Sequence, residues 1–348
     1  MTEVTVSASK TYKILIERGL ISSAGALIRE KCGGDKVCVV CGDTVRGLYG
    51  GTVEKALKDG DFQVVFFTYH HGERSKNMDT LSALLNFMAE SGVTRADAIV
   101  ALGGGVTGDL AGFAAATYMR GMKYVQIPTT LLAMIDSSVG GKTAVDLPAG
   151  KNLAGAFWQP ELVLCDPAAL DTLPDEIFAD GCAEAVKYAV LSSPELLELL
   201  QKPKENIETV IEKCVSIKRD VVQRDEFDNG ERQKLNLGHT VGHAVEKLSH
   251  FSVSHGSAVA IGLAVISRAS AANGCCAPDT AERIVNALTA LALPTKTEET
   301  AGALSNAMLS DKKRSGDRIN LIVPRAVGHC EIMDMPVEGL AAYIEKGL

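Results

Sequence analysis

The sequence predicts an α/β N-terminal domain followed by a mainly α-helical C-terminal domain, and three observations predict it. Short β-rich runs alternate with amphipathic helical stretches as far as Pro174, the pattern of a parallel sheet covered by helices. Beyond Pro174 helical patterns succeed one another almost to Leu309. The 348 residues also exceed what a single hydrophobic core supports, so the domains are expected at 1–173 and 174–348.

In order, strands are expected at Lys13–Glu17, Lys36–Cys41, Phe62–Thr68, Ala98–Leu102, Tyr124–Ile127 and Leu162–Cys165, each short and rich in apolar or β-branched residues. Helices between them are expected at Ile21–Lys31, Asp79–Glu90 and Asp109–Arg120, where apolar residues recur three or four apart. The second half reads as helices over Asp175–Leu191, Pro194–Leu200, Asn206–Arg224, Leu237–Leu248, Gly256–Asn273 and Asp279–Leu291. Two late β-like runs, Arg318–Val323 and His329–Ile332, predict a small ribbon before a last helix.

Hydrophobic residues make up 46% of the chain and charged ones 22%, which excludes disorder and a disulfide-held mini-protein. A formal charge of −8 argues against a nucleic-acid or acidic-membrane surface, so an anionic ligand needs a local basic cluster. The nine cysteines follow no framework spacing, and Cys38 and Cys41 lie inside an apolar run, so a reducing compartment and buried thiols are expected. With neither a signal-like N-terminus nor a membrane-length apolar stretch, the sequence is read as cytoplasmic.

The sharpest motif in the first half is Gly103-Gly-Gly-Val-Thr-Gly-Asp109, set between a strand pattern and a helix pattern. Glycines there let backbone approach a pyrophosphate, while the helix offers free N–H groups and the positive end of its dipole. The next strand, however, ends without the acidic residue of an ordinary dinucleotide fingerprint. Asp43, ending the Lys36–Cys41 run, is a candidate for ribose hydroxyls, or else a helix N-cap. Asp136-Ser-Ser-Val-Gly-Gly-Lys142-Thr143 is not a P-loop, because the first glycine of that motif would fall on Asp136. It reads instead as a polar loop suited, with Lys151 and Asn152, to an oxygen-rich anion.

In the second half His239 and His243 lie four apart, hence on one helix face, a spacing that can hold zinc with a third ligand. Glu184 and His255 are the candidates for that ligand. Lys187, Lys218, Arg232 and Lys312-Lys313, with Arg120, Lys142 and Lys151, can supply the basic cluster, although solvated helix faces use the same residues.

Taken together, Leu102-Gly-Gly-Gly-Val-Thr-Gly-Asp-Leu-Ala-Gly-Phe113, Tyr118-Met-Arg-Gly121, Gln126-Ile-Pro-Thr-Thr-Leu-Leu132, Asp136–Thr143, Gly150-Lys-Asn152, Glu184-Ala-Val-Lys187 and Leu235-Asn-Leu-Gly-His-Thr240 resemble the 3-dehydroquinate synthase family over nearly the whole chain. The resemblance implies a Rossmann-like NAD-binding domain and a helical metal-binding domain. It assigns the metal, zinc or another divalent cation such as cobalt, to Glu184, His239 and His255, and so moves His243 to the substrate. NAD would contact Asp43, Gly72, Glu73, Lys76, Gly105, Val106, Thr107, Gly108, Asp109, Thr129, Thr130, Lys142, Lys151, Leu170, Asp171 and Thr172. Substrate contacts carry over to Arg120, Asp136, Lys142, Lys151, Asn152, Lys187, Lys218, Arg232, Asn236 and His243. Asp146 and Met134 depart from the family pattern without touching its chemistry.

The implied substrate is 3-deoxy-D-arabino-heptulosonate 7-phosphate, a small-molecule sugar phosphate, and the implied products are 3-dehydroquinate and phosphate. Transient oxidation by NAD, phosphate elimination, reduction and aldol ring closure would follow one another. The family also implies a homodimer. Three rivals stand beside this reading: a polyol dehydrogenase of the glycerol dehydrogenase kind, a sister sugar phosphate cyclase, and a non-catalytic NAD-binding protein.

Overall fold

The computed structural model describes residues 1–309, 314–315 and 317–348, so the expected lysine pair Lys312-Lys313 lies outside the described residues. The described chain forms two compact units, Met1–Pro174 with Lys218–Phe227, and Asp175–Ile217 with Asp228–Leu348.

The first unit is built on β1 (Thr2–Ser7), β2 (Thr11–Ile16), β3 (Lys36–Gly42), β4 (Gln63–Tyr69), β5 (Ala98–Gly103), β6 (Lys123–Pro128) and β9 (Leu162–Cys165), in the sheet order β1-β2-β9-β6-β5-β3-β4. Only the β1–β2 pair is antiparallel. Lys-Val-Cys-Val-Val-Cys-Gly and Ala-Ile-Val-Ala-Leu-Gly are near-continuous apolar runs because both faces of a central parallel strand are covered. Cys38 and Cys41 are buried free thiols, as expected, and burial pushes the Cys38 thiol up to about 12. The helices α1 (Ala24–Arg29), α2 (Asp43–Asp59), α3 (Met78–Glu90) and α4 (Gly105–Thr117) cover this sheet. Leu84 and Met88 of α3 and Leu110 and Ala114 of α4 close one core cluster with Cys38, Val40, Ile99 and Tyr124.

Two expectations need correction here. The segment read as a polar loop, Asp136–Thr143, departs from a loop at both ends: Asp136 and Ser137 finish a π-helical turn (Ala133–Ser137), and Lys142 and Thr143 open a hairpin in which β7 (Lys142–Leu147) pairs antiparallel with β8 (Gly150–Phe157). Its glycines suggest a loop, yet Gly155 permits close pairing: a Cβ there would lie 2.2 Å from the Thr143 carbonyl oxygen. The expected helix Ile21–Lys31 is a 3₁₀ turn at Leu20–Ser23 followed by the short α1.

In the second unit α5 (Asp175–Ser192), α6 (Pro194–Leu199), the first part of α7 (Ile207–Arg224), α8 (His239–Leu248), α9 (His255–Ala272), α10 (Pro278–Ala290), α11 (Ala301–Leu309) and α12 (Val337–Glu345) accompany a three-stranded sheet. Its strands are β10 (Arg314–Ser315), β11 (Arg318–Ala326) and β12 (His329–Pro336), all antiparallel. Helix α9 is apolar on nearly every side and buried, and it packs against α5, α8, α10 and α12.

Small residues set how closely these helices approach. A Cβ on Gly262 of α9 would lie 1.9 Å from the Gly238 carbonyl oxygen, and one on Gly256 would lie 2.4 Å from Asp180 Cα. Gly238, at the start of α8, has φ +77, which an L side chain rarely adopts. No helix among the described residues is long and apolar enough to cross a membrane.

Candidate functional site

Parallel strands β3 and β5 are neighbours, with Val40 opposite Ala101, and the chain leaves them toward opposite sides of the sheet, to β4 and to β6. Such a reversal is where open α/β sheets take ligands, at the carboxyl ends of the strands. Asp43 follows β3, and the glycine run Gly103–Gly108 follows β5 directly into α4. Helix α4 has Gly104 as its N-cap with no capping side chain, so its first N–H groups face outward for an anion. Asp43 is the first residue of α2, not its N-cap, which is Gly42. Its carboxylate accepts from the Thr44 N–H at 2.8 Å and from the imidazoles of His70 and His71. Those imidazoles, His70 first, hold it well below the usual carboxylate range.

Lys76 is the hub of the surrounding loops. Its buried ammonium lies 2.9 Å from Glu73, 2.8 Å from the Asn152 side-chain oxygen, 3.4 Å from Asp109 and 3.7 Å from Asp146. Burial alone would lower Lys76, but Asp109, then Glu73, raise it above the ordinary lysine value. Burial pushes Asp109 up to about 6 against the pull of Lys76. Lys151 approaches Glu73 at 4.0 Å. Sequence reasoning set Asp146 aside, yet its carboxylate accepts from the Asn152 N–H at 2.7 Å and its N–H donates to the Lys76 carbonyl at 2.8 Å.

Other expected residues of this unit are spread over several elements. Thr107 shares a 2.7 Å hydrogen bond with the Tyr69 hydroxyl, the Thr129 N–H donates to the Gly103 carbonyl at 3.0 Å, and Thr130 packs beside Gly104. Leu170, Asp171 and Thr172 lie in a 3₁₀ turn, where Arg18 pairs with Asp171 at 2.8 Å and Tyr49 hydrogen-bonds Thr172. Lys218, buried, is ion-paired with Asp136 and also donates to its carbonyl at 2.6 Å. Lys142 begins β7, and the exposed Arg120 has φ +66, held between Met119 at φ +48 and Gly121 at φ +117. Lys76 thus gathers Glu73, Asp109 and Asn152.

The second unit brings Glu184, His239 and His255 together from α5, α8 and α9. Glu184, 1% exposed, receives His239 Nε2 at 3.1 Å and His255 Nε2 at 3.2 Å on Oε1, and Lys187 Nζ at 2.5 Å on Oε2. One donor atom from each of the three lies within 4.8 Å of the others. Burial would raise Glu184, but Lys187, then His239, hold it well below its ordinary value. Burial drives His239 down to about 4 and so favours the neutral imidazole that a metal needs. His255 is pulled down by burial, yet Glu184 and Glu246 overcome this and push it to about 10.

A buried carboxylate facing two imidazoles is a donor set that suits zinc or cobalt and leaves further coordination positions open. Glu246, which had no role in the sequence reading, adjoins this group, with Oε2 3.5 Å from His255 Nδ1. The ring of His243 stands 5.5 Å from that of His239, also close to the group. Arg232 is buried in the 3₁₀ turn Glu231–Asn236, which Asn236 closes.

The chain is similar to known proteins over nearly its whole length. A family model described as 3-dehydroquinate synthase N-terminal matches residues 66–180, and one described as 3-dehydroquinate synthase C-terminal matches residues 181–314. A 3-dehydroquinate synthase of Clostridium acetobutylicum is 43% identical over 330 residues, covering 92% of this chain and 93% of the relative. One from Streptococcus suis is 39% identical over 353 residues, covering 99% of each.

Among solved structures, 2-epi-5-epi-valiolone synthase from Streptomyces hygroscopicus subsp. jinggangensis, with NAD+ and Zn2+ bound, matches at TM-score 0.87 and 27% identity over 98% of both chains. A 2-deoxy-scyllo-inosose synthase complexed with carbaglucose-6-phosphate, NAD+ and Co2+ shares the fold at TM-score 0.90 and 24% identity over 100% of both chains. An iron-containing alcohol dehydrogenase matches more distantly, at TM-score 0.67 and 16% identity over 99% of both chains. On both family models and on relatives of this identity over nearly its full length, the chain belongs to the 3-dehydroquinate synthase family.

Proposed function

We propose that this chain converts 3-deoxy-D-arabino-heptulosonate 7-phosphate into 3-dehydroquinate and inorganic phosphate. The observation that carries the reading is the buried Glu184 with two imidazoles on one oxygen, in a chain of this family. Glu184, His239 and His255 would hold the divalent cation, zinc or cobalt, and the carboxyl ends of β3 and β5 would hold NAD. When bound, the nucleotide accepts and returns a hydride within one turnover while the cation withdraws electron density from a substrate oxygen.

The chain's own residues bind and orient. The uncapped start of α4 offers N–H groups to the nucleotide's diphosphate, and Asp43 offers its carboxylate to ribose hydroxyls. Lys76 holds Glu73, Asp109 and Asn152 in one arrangement around that position. Lys142, Lys151, Arg120 and the buried Lys218 of the first unit, and the buried Lys187 and Arg232 of the second, supply the positive charge that an acidic protein needs for a phosphate and a carboxylate. Asp136, Asn152 and Asn236 add polar contacts to the substrate, and His243 moves a proton at a substrate oxygen. The reading includes a homodimer in the cytoplasm.

Incubation with the heptulosonate phosphate, NAD and zinc tests this directly. Phosphate and cyclic product should appear in equal amounts. Turnover of a neutral polyol with neither product would favour the dehydrogenase reading, and phosphate release only from a different sugar phosphate would favour a sister cyclase.

A further inference from the structure

We propose that Asp43, His70 and His71 form a second divalent-cation site in the first unit, taking a borderline transition-metal ion such as Zn2+ or Ni2+. Adjacent side chains on an extended strand point to opposite faces. His70 and His71 escape that alternation because β4 ends at Tyr69 and the chain then bends through Gly72 at φ +108. Ser75 Oγ donates to the His70 carbonyl at 2.5 Å and ties the bend back on itself.

Both imidazoles therefore turn toward one carboxylate. His70 Nδ1 lies 2.9 Å from Asp43 Oδ2, and His71 Nδ1 lies 2.6 Å from Asp43 Oδ1. One donor atom from each residue lies within 4.8 Å of the others, a spread that a small displacement closes around an ion with bonds of about 2 Å. Two imidazole nitrogens and one oxygen favour zinc-like ions over calcium or magnesium, which take oxygen donors. The side chains of His70, His71 and Asp43 are 81%, 61% and 46% exposed, so an ion reaches them from solvent and completes its shell with water. None of the three belongs to the Glu184 group.

One consequence rests on the proposed function, in which Asp43 receives the ribose hydroxyls of NAD. An ion on Asp43 occupies the same oxygens, so the ion and the nucleotide compete. The experiment uses the full chain and its His70→Ala/His71→Ala variant, with Zn2+ as the probe in equilibrium dialysis. The intact chain should bind two equivalents and the variant one, with equal far-UV circular dichroism; equal stoichiometry in both overturns the site.

Calorimetric titration with NAD at rising Zn2+ forms the second arm. The intact chain should lose affinity by about tenfold, roughly 1.4 kcal/mol, while the variant holds its own. An equal response to Zn2+ in both proteins overturns the competition. Neither arm needs substrate, so failure to turn over the heptulosonate phosphate counts against the proposed function alone.

Discussion

Glu184 carries three nitrogen donors on two oxygens, and the balance among them decides what its replacement does. Lys187 is 2% exposed and sits 2.5 Å from Glu184 Oε2, so it is buried against this carboxylate. Glu184→Gln should abolish cation binding and turnover together, and removing the carboxylate charge beside the buried Lys187 ammonium should cost roughly 3–5 kcal/mol of stability. Metal analysis beside thermal unfolding reads both effects; a variant that keeps its metal and its rate would remove Glu184 from the ligand set.

Asp109 gives a pH test with a defined sign. Its folded value, about 6, lies above the ordinary 3.8, so between those values the folded chain holds a proton that the unfolded chain releases. This contribution makes stability fall as pH rises across that window. Relative to the parent, Asp109→Asn should therefore gain on the order of 2 kcal/mol between about pH 4 and about pH 6. Denaturant titrations at both pH values should show a widening difference, and a constant difference would contradict the assignment.

At the scale of elements, the cluster of Glu184, His239 and His255 exists because α5, α8 and α9 approach closely, and glycines permit the approach. Gly256 follows His255 and faces Asp180, one turn before Glu184, with backbone so near that a Cβ would lie 2.4 Å from Asp180 Cα. Gly256→Ala should push α9 from α5, cost about 1–3 kcal/mol and weaken cation binding while the helical content stays. Unchanged cation affinity in a stable Gly256→Ala protein would show that the spacing of these helices does not govern the site.

The strands of the first unit were legible because buried parallel strands are apolar throughout, as Lys36–Gly42 and Ala98–Gly103 are. The first strand, Thr2–Ser7, escaped notice despite its alternation of buried Val4 and Val6 with outward polar residues. The Lys142–Phe157 hairpin hid behind glycines that serve pairing and turns. The proposed ligand set was not legible from spacing, since His239 and His243 share a helix face while Glu184 and His255 are brought in by helix packing. Only the resemblance distinguished them. Asp146 and Glu246 carried no local signal, because their partners, Lys76 and His255, lie far along the chain or on another helix.

At the scale of the whole molecule, the proposed reaction regenerates its nucleotide. Phosphate should accumulate over many turnovers with NAD supplied only in proportion to enzyme, and absorbance at the NADH band should stay flat. NADH rising in step with product would identify a dehydrogenase.

The C-terminal end of α7 has a practical bearing on engineering. Lys218 holds Asp136, Gln223 accepts from the Ser7 N–H at 2.9 Å, and Glu226 receives Gln159, so ten residues encoded far downstream complete the N-terminal unit. A chimaera spliced at Pro174 between this chain and a relative would inherit these partners from the wrong parent. A graft that carries 218–227 with its own first half keeps the matched set, and a gene split at that junction leaves the front fragment missing a piece of its own wall.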